Sequence, residues 1–358
     1  MQPIKILVDS FADEGLTNAQ MINAREIVSR LNPDRFFVSL FVRGTPAAHI
    51  SARPNTRLIQ LSNRLQTIPL LAHFLLGKQE IIFYLKVSPA SRWFLKLRSL
   101  RSSRCATIGT VESQSDWRDE TITPQTIRLL EETVLRCDYL FSNSAFVQRS
   151  LKNNYGIASE VVPTGVDIDF FAPDWDRPAN PRTRVLFVGA LRAFKGPQLI
   201  LIAAERYPHA DFVVVGEGIL NTELQERAKG LPNVFLRGPL GRVAVRKEYQ
   251  AADIFMFPSR WEGSPRVLME AAACGLPVIA RKDYQPESVI DGETGLLADS
   301  DEEMVAALGR LLANPELCRS FGRSGRSHIE RFSWDIITRR WEDIFTRVAL
   351  AHRKDSGA

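Results

Sequence analysis

Long hydrophobic runs are missing from this chain. Among its 358 residues no apolar stretch approaches the roughly 20 that a bilayer-spanning helix needs, which argues against a membrane-spanning helical protein. Cysteine is scarce. The four, Cys105, Cys137, Cys274 and Cys318, are widely scattered and no pair has metal-ligand spacing, so reduced buried thiols are expected and a disulfide- or zinc-stapled fold is not. No charge sign dominates: 46 Lys and Arg against 41 Asp and Glu give a net +5. That balance suits phosphate-bearing ligands or an anionic surface without requiring nucleic acid. Aromatic-basic RNA-binding signatures are absent as well, so no nucleic-acid partner is expected. The opening Met1–Asp9 reads as a first strand and lacks the apolar core and cleavage site of a signal peptide. With reduced thiols, this gives a cytoplasmic expectation. Low-complexity segments and short-period repeats are lacking too.

What is present is an ordinary globular composition, 45% hydrophobic and 24% charged, at a length that predicts two domains. Short apolar strands alternate with polar, helix-like stretches. In the first half the strands are Ile4–Asp9, Phe36–Val42, Arg57–Gln60, Ile81–Tyr84, Ala106–Gly109, Tyr139–Ser142 and Glu160–Val162, with a helical tract at Asn18–Leu31. The polar, proline-rich Asp174–Pro181 reads as a linker. A second alternation follows, with strands at Arg184–Val188, Phe212–Val215, Val234–Leu236, Ile254–Phe257 and Pro277–Ala280. Ser333–Leu350 is amphipathic, with Trp334, Ile337, Trp341, Ile344, Phe345 and Val348 at near-helical spacing. Strands alternating with helices predict parallel sheets covered on both faces.

The segment with the most chemistry runs from Trp261 to Val278. Pro258 ends the buried strand before it. Ser264 is a good N-cap, and Pro265 suits the first helical position, where no N–H is needed. Gly275 sits where a helix would stop in the left-handed conformation. The N–H groups around Gly263, Ser264, Arg266 and Val267 then point out of a helix N-terminus, which favours an anion or sugar hydroxyls. Glu262 falls in the loop. Glu270 lies more than a turn into the helix, on the side of Arg266 and Val267. A carboxylate there cannot chelate phosphate, but it can accept two hydrogen bonds from a vicinal diol such as ribose. Two surface carboxylates on an ordinary strand-loop-helix are the plain alternative.

This pattern resembles the E-x7-E signature of retaining glycosyltransferases with two Rossmann-like domains, the glycogen-synthase-like group numbered family 4. The resemblance implies that Glu270 binds the ribose of a nucleotide sugar, and that Glu262 and the loop amides face the transferred sugar. Many members have Phe-Gly where this chain has Ser264-Pro265, a change that leaves the helix start intact and bears on the sugar pocket.

Other segments extend the resemblance. Val185–Gly196 is a strand followed by a glycine turn and two cations; Gly189 lets the chain turn sharply, and Arg192 and Lys195 can converge on one anion. Two solvated basic residues are the alternative, weakened by the strand-turn-helix setting. The segment is similar to the family's V-G-x-L-x-x-x-K-G motif, which implies that both cations hold the donor diphosphate and stabilise the leaving group. No Asp-x-Asp metal motif stands in a fitting context, so neither a metal nor a cofactor beyond the donor substrate is expected. Phe212–Gly218 is not a dinucleotide fingerprint. It resembles the family's V-G-x-G segment, which implies that Gly216 lies near the nucleotide base. Val161–Phe171 and Asp283–Leu297 match interdomain and tail segments, and for Glu287 a structural role outweighs a catalytic one. The first domain departs more. Its loop after the first strand, where members have a Gly-rich loop approaching donor or acceptor, holds Gly15 alone. Where members carry T-x-H, this chain has Thr110-Val111-Glu112, so Glu112 takes the place of the histidine that faces the reaction centre.

Residues 92–104 hold five basic residues and no acid, with Trp93, Phe94, Leu97 and Leu100 on one helical face. Such a helix can lie on an anionic membrane; packing that face on the sheet is the commoner alternative. The fold expected is therefore α/β, with two Rossmann-like domains facing each other across a cleft (GT-B). Residues 1–177 would bind the acceptor, 178–332 the nucleotide sugar, and 333–358 would form a helix returning to the first domain. The function expected is transfer of a sugar from a nucleoside-diphosphate sugar to a saccharide or lipid-linked acceptor, with retention implied by the resemblance. A nucleotide-sugar epimerase of related fold and a non-catalytic nucleotide-sugar-binding protein are the alternatives.

Overall fold

The computed structural model describes residues 2–15, 18–62, 66–100, 105–113 and 123–355. The chain divides into two compact units, residues 1–163 together with 334–358, and residues 164–333.

The first unit contains β1 (Ile4–Phe11), β2 (Phe36–Val42), β3 (Thr56–Gln60), β4 (Ile81–Phe83), β5 (Ala106–Val111), β6 (Tyr139–Ser142) and β7 (Glu160–Val161). They form one sheet in the order β3-β2-β1-β4-β5-β6-β7, every pair parallel. Alternate residues of β1 enter opposite cores: Ile6 and Val8 join one apolar cluster and Leu7 the other. Burial on both faces is why these strands read as continuous apolar runs. The helix Ala19–Arg30 opens on Asn18, whose side chain accepts from the Gln20 N–H, and Ser144 caps Ala145–Tyr155 in the same way.

The terminal helix, Trp334–Asp355, packs on this unit, as the resemblance implied. All six apolar residues read at helical spacing enter its core. The Trp341 ring lies 4.7 Å from that of Phe83 and 5.0 Å from Phe141, and Phe345 lies 4.8 Å from Phe83. Each such buried aromatic contributes about 1.5–3 kcal/mol of transfer free energy, enough to fix the helix on the sheet.

The second unit contains β8 (Arg184–Val188), β9 (Asp211–Val215), β10 (Val234–Gly238), β11 (Ile254–Phe257), β12 (Val278–Arg281) and β13 (Gly295–Ala298). Their order is β10-β9-β8-β11-β12-β13, again parallel throughout. β13 is a strand that the sequence reading did not contain. The segment read as a linker is docked instead. Arg177 pairs with Asp253 and donates to the Ala252 carbonyl at 2.7 Å, and Asn180 donates to the Ala251 carbonyl at 2.9 Å and to Asp253 at 2.8 Å. The unit boundary accordingly falls after Pro163, and residues 164–177 belong with the second unit.

Each sheet reverses its direction of growth once, between β1 and β4 and between β8 and β11. The carboxyl ends of strands at such a reversal are where open α/β sheets bind ligands. All four cysteines are free. Burial pushes the Cys137 and Cys274 thiols up to about 12, so neither is a thiolate at neutral pH.

Candidate active site

In the second unit the loops after β8 and β9 meet backbone to backbone. Gly216, at φ 140°, is so close that a Cβ there would stand 1.9 Å from the Gly189 carbonyl oxygen; at Gly218 it would stand 2.4 Å from that of Leu191. Gly189 itself is not in the left-handed region, so its expected sharp turn is replaced by a different demand, a close approach of two chains.

Across the reversal point, the loop after β8 meets the loop after β11. Ala193–Lys195 forms a short 3-10 turn that ends on Gly196, at φ 65°, against Pro258. The Arg260 N–H donates to the Phe194 carbonyl at 2.9 Å, and the Phe194 and Trp261 rings stack at 6.0 Å. Here the half-buried Lys195 ammonium pairs with Glu262 Oε1, which also accepts from Ser259 Oγ at 2.6 Å. Lys195 Nζ lies 5.0 Å from the Phe194 ring centroid and 5.4 Å from that of Phe257. The sequence placed Arg192 and Lys195 together on an anion. In the structure the Lys195 ammonium is held by a carboxylate, and Arg192 stands at the entry to the turn, its carbonyl accepting from the Lys195 N–H at 3.0 Å.

The helix after the loop runs Arg266–Ala273. Pro265, not Ser264, takes the N-cap position, and no side chain caps it. The expected Ser264 cap therefore fails by one residue: the extended Pro265 backbone delays the helix start past the reach of that hydroxyl. Among the described residues nothing accepts from the N–H groups of Gly263, Ser264, Arg266 and Val267. The helix stops as expected at Gly275, φ 77°, with the Leu276 N–H on the Ala271 carbonyl at 3.0 Å.

Glu270 accepts a hydrogen bond from the Tyr249 hydroxyl at 3.1 Å; Tyr249 comes from the helix Arg242–Ala251 and is fully buried. Burial raises the Glu270 carboxyl above its usual range, while Arg266, the Tyr249 hydrogen bond and Arg242 pull it back. Glu262 and Glu270 thus have separate partners, one a cation and the other a neutral donor. Tyr284, three residues past the end of β12, is buried with a hydroxyl that finds no partner among the described residues.

In the first unit Glu112 follows β5. Its Oε1 accepts from Tyr84 at 2.8 Å and from Asn23 at 3.2 Å, and its carbonyl accepts from Asn143 at 2.9 Å. Tyr84 takes φ 59°, an uncommon conformation for an aromatic residue, at the end of β4. Gly15 takes φ 74° with open space around it, so only its backbone freedom is used. His73 packs 5.9 Å from the Phe41 ring, and burial lowers its pKa, as suits a packed residue. Of the basic stretch, Pro89–Leu97 is helical: Phe94 is buried on the sheet while Trp93 is 50% and Leu100 76% exposed. Arg92 pairs with Glu132 and Arg98 with Asp138, so two of its cations are neutralised; residues 101–104 lie outside the described residues.

Sequence reasoning did not find Tyr249, Ser259, Tyr84 or Asn23. Ser259 is three residues before Glu262, but the other three act on a glutamate from distant elements and leave no local signal.

Two parallel sheets, each with chemistry at its reversal point, define a two-domain nucleotide-binding class. The same fold occurs in sucrose-phosphate synthase from Thermosynechococcus elongatus, with a TM-score of 0.78 at 21% identity over 98% of this chain and 100% of that one. Residues 182–314 match the family described as "Glycosyl transferases group 1". A D-inositol 3-phosphate glycosyltransferase of Corynebacterium jeikeium is 32% identical over 282 residues, 69% of this chain and 67% of the relative. A GDP-mannose-dependent alpha-(1-6)-phosphatidylinositol monomannoside mannosyltransferase of Mycolicibacterium smegmatis is 34% identical over 227 residues, 56% of this chain and 58% of the relative. The matches span from 44% to 67% of such relatives' own lengths. The chain belongs to the group 1, family 4 glycosyltransferases, with the GT-B fold.

Proposed function

We propose that this protein is a retaining glycosyltransferase that moves a hexose from a nucleoside-diphosphate sugar to a hydroxyl of a saccharide or lipid-linked acceptor. The observation that carries the reading is the set of groups at the β8–β11 reversal: the Lys195–Glu262 pair, the N–H groups of Gly263, Ser264, Arg266 and Val267, which have no acceptor among the described residues, and the Glu270 carboxylate. In this reading Glu270 accepts from the ribose hydroxyls. Arg192 and Lys195 neutralise the diphosphate as the bond from its oxygen to the anomeric carbon breaks. Glu262 and the amides hold the sugar, while Gly189 and Gly216 let the chain approach the nucleotide. The acceptor oxygen bonds to the same carbon, and its proton leaves toward the departing diphosphate. Glu112, fixed by Tyr84 and Asn23, stands in for the family's histidine, and Gly15 shapes the acceptor loop. The two cations make a resident metal or cofactor unnecessary.

The relatives' names, with acceptors that are an inositol phosphate and a phosphatidylinositol mannoside, favour a polyol-type or lipid-linked acceptor. No helix among the described residues is long and apolar enough to cross a membrane. A peripheral contact with an anionic membrane from the cytoplasmic side is the reading that fits Trp93, beside Lys96, and the exposed Leu100 and Leu76.

The test is thermal stabilisation by UDP, GDP, ADP and their sugar conjugates. At a hundred times Kd a ligand adds about 2.7 kcal/mol. One nucleotide should raise Tm, with the rise lost in Glu270→Ala and Lys195→Ala, whereas Glu112→Gln should keep donor binding and lose transfer. No shift with any nucleotide would remove the donor-site assignment.

A further inference from the structure

At the β1–β4 reversal of the first unit, two cations converge on one ring. The Arg43 guanidinium carbon lies 3.9 Å and the Lys86 ammonium 5.0 Å from the Phe11 centroid. Like charges are not brought together without a reason, and each must be desolvated in part to sit there. The Lys86 nitrogen is buried and has no hydrogen-bond acceptor among the described residues. Its nearest carboxyl, that of buried Asp9, accepts the Lys86 backbone N–H at 2.9 Å but forms no ion pair with the ammonium among the described residues. Burial pulls the Lys86 ammonium below the ordinary lysine range, Asp9 offsets this, and Arg43 adds to it. The other acid at this edge, Asp13, is occupied by the backbone N–H groups of Arg43 and Gly44. Arg43 is exposed and its side chain donates to Gln66. Buried charged groups in folded proteins are paired, and an ammonium without an acceptor is a donor awaiting one.

We propose that Lys86 and Arg43 bind a phosphate ester carried by the acceptor. The inference rests on the glycosyltransferase reading for the word acceptor, and on the first unit alone for the site. A phosphate oxygen takes the Lys86 ammonium as a point charge, and the exposed Arg43 guanidinium closes on a second oxygen. The Phe11 ring holds both cations in place from beneath. Whether the phosphate ester belongs to a free polyol phosphate or to a lipid headgroup, the chemistry at Lys86 is the same.

The full chain carrying Lys195→Ala, which removes one of the two donor cations, is titrated with inorganic phosphate, glycerol 3-phosphate and, as a control, glycerol at matched ionic strength. Sedimentation with phosphatidylglycerol and phosphatidylcholine vesicles follows. Glycerol 3-phosphate should raise Tm while glycerol does not, and Lys86→Met or Arg43→Gln should weaken the response at least about tenfold. A soluble response points to a free phosphorylated acceptor. Binding to phosphatidylglycerol alone, lost in both variants, points to a lipid-borne one. No response, or one indifferent to both variants, overturns the proposal. Arg43 is exposed, so Arg43→Gln keeps the test valid should Lys86→Met fail to fold. Failure of the glycosyltransferase reading registers separately, as a wild-type protein that answers to no nucleoside diphosphate.

Discussion

In the resting protein the cation assigned to the donor diphosphate already has a partner, and Glu262→Gln separates the two. Both side chains of the Lys195–Glu262 pair are less than one-fifth exposed, 19% and 13%, and Ser259 fixes the same carboxylate oxygen. A charge-assisted hydrogen bond of this kind contributes about 1.5–3 kcal/mol. A diphosphate that takes Lys195 must first displace Glu262, so part of that energy opposes its binding. Glutamine keeps the shape and leaves a weaker ion-dipole contact. If half of the smaller figure is released, the nucleoside diphosphate binds about threefold tighter; if half of the larger, about tenfold. The intact nucleotide sugar gains less, because its sugar loses the Glu262 carboxylate. The variant should also lose about 1–3 kcal/mol of stability, a few degrees in Tm for a unit of this size, because a half-buried ammonium is left short of its counter-charge. Isothermal titration with the matching nucleoside diphosphate, run beside its sugar conjugate, reads both effects. Equal or weaker diphosphate binding by Glu262→Gln would refute the reasoning: Lys195 would then stay on Glu262 throughout, and the diphosphate would be held by Arg192 and the amides.

Two further outcomes follow from the same geometry. Gly216→Ala should destabilise by roughly 2–4 kcal/mol in urea unfolding, because its Cβ would meet the Gly189 carbonyl at 1.9 Å and that neighbour is backbone in a packed sheet edge. Binding of the nucleotide sugar should weaken as pH falls from 7, and at a higher pH than an ordinary carboxylate would cause. Glu270 must be ionised to accept from a diol, and burial raises its pKa. The sign for stability is opposite: a carboxyl raised in the folded state adds stability while protonated and loses it as pH rises from its unfolded value through the folded one. Glu270→Gln should therefore flatten the low-pH limb of binding, and a limb unchanged in that variant would assign it elsewhere.

Most of the fold was legible because both sheets are covered on both faces. Each central strand is then a continuous apolar run, and Ile254–Phe257 or Val185–Val188 can be read with no other information. β13 escaped because Gly295–Ala298 is a four-residue edge strand opening on a glycine, with too few apolar positions to stand out from the Asp291–Thr294 turn. The docked segment before β8 escaped for another reason. Proline and polar residues mark irregular backbone, but nothing local says that Arg177 and Asn180 find Asp253 more than 70 residues away. The same division holds at the site. Motif spacing located Lys195, Glu262 and Glu270, yet which charges touch in the resting state is a property of the packed loops. The pairing of Lys195 with Glu262 follows from Phe194 stacking on Trp261 and from the Arg260 N–H on the Phe194 carbonyl, contacts between segments some 65 residues apart.

The two reversal points handle buried charge in contrasting ways. At β8–β11 the resting charges are matched: Lys195 has Glu262, and Glu270 has a neutral donor in Tyr249 and two arginines near enough to lower its pKa. A ligand entering there exchanges one set of partners for another, so its affinity is a difference between two similar terms. Strong binding of the intact donor then requires that sugar, diphosphate and ribose be engaged together, which disfavours the nucleotide that remains after transfer. At β1–β4 the ammonium has no hydrogen-bonded acceptor among the described residues: Lys86 has an aromatic face and the longer-range attraction of Asp9, and its neighbour Arg43 carries the same sign. An anion arriving there displaces no hydrogen-bonded counter-charge, and its binding is opposed by its own desolvation and by the nearby Asp9 carboxyl. On the proposed function, the asymmetry would put selectivity for the intact donor in the second unit and retention of an anionic acceptor in the first.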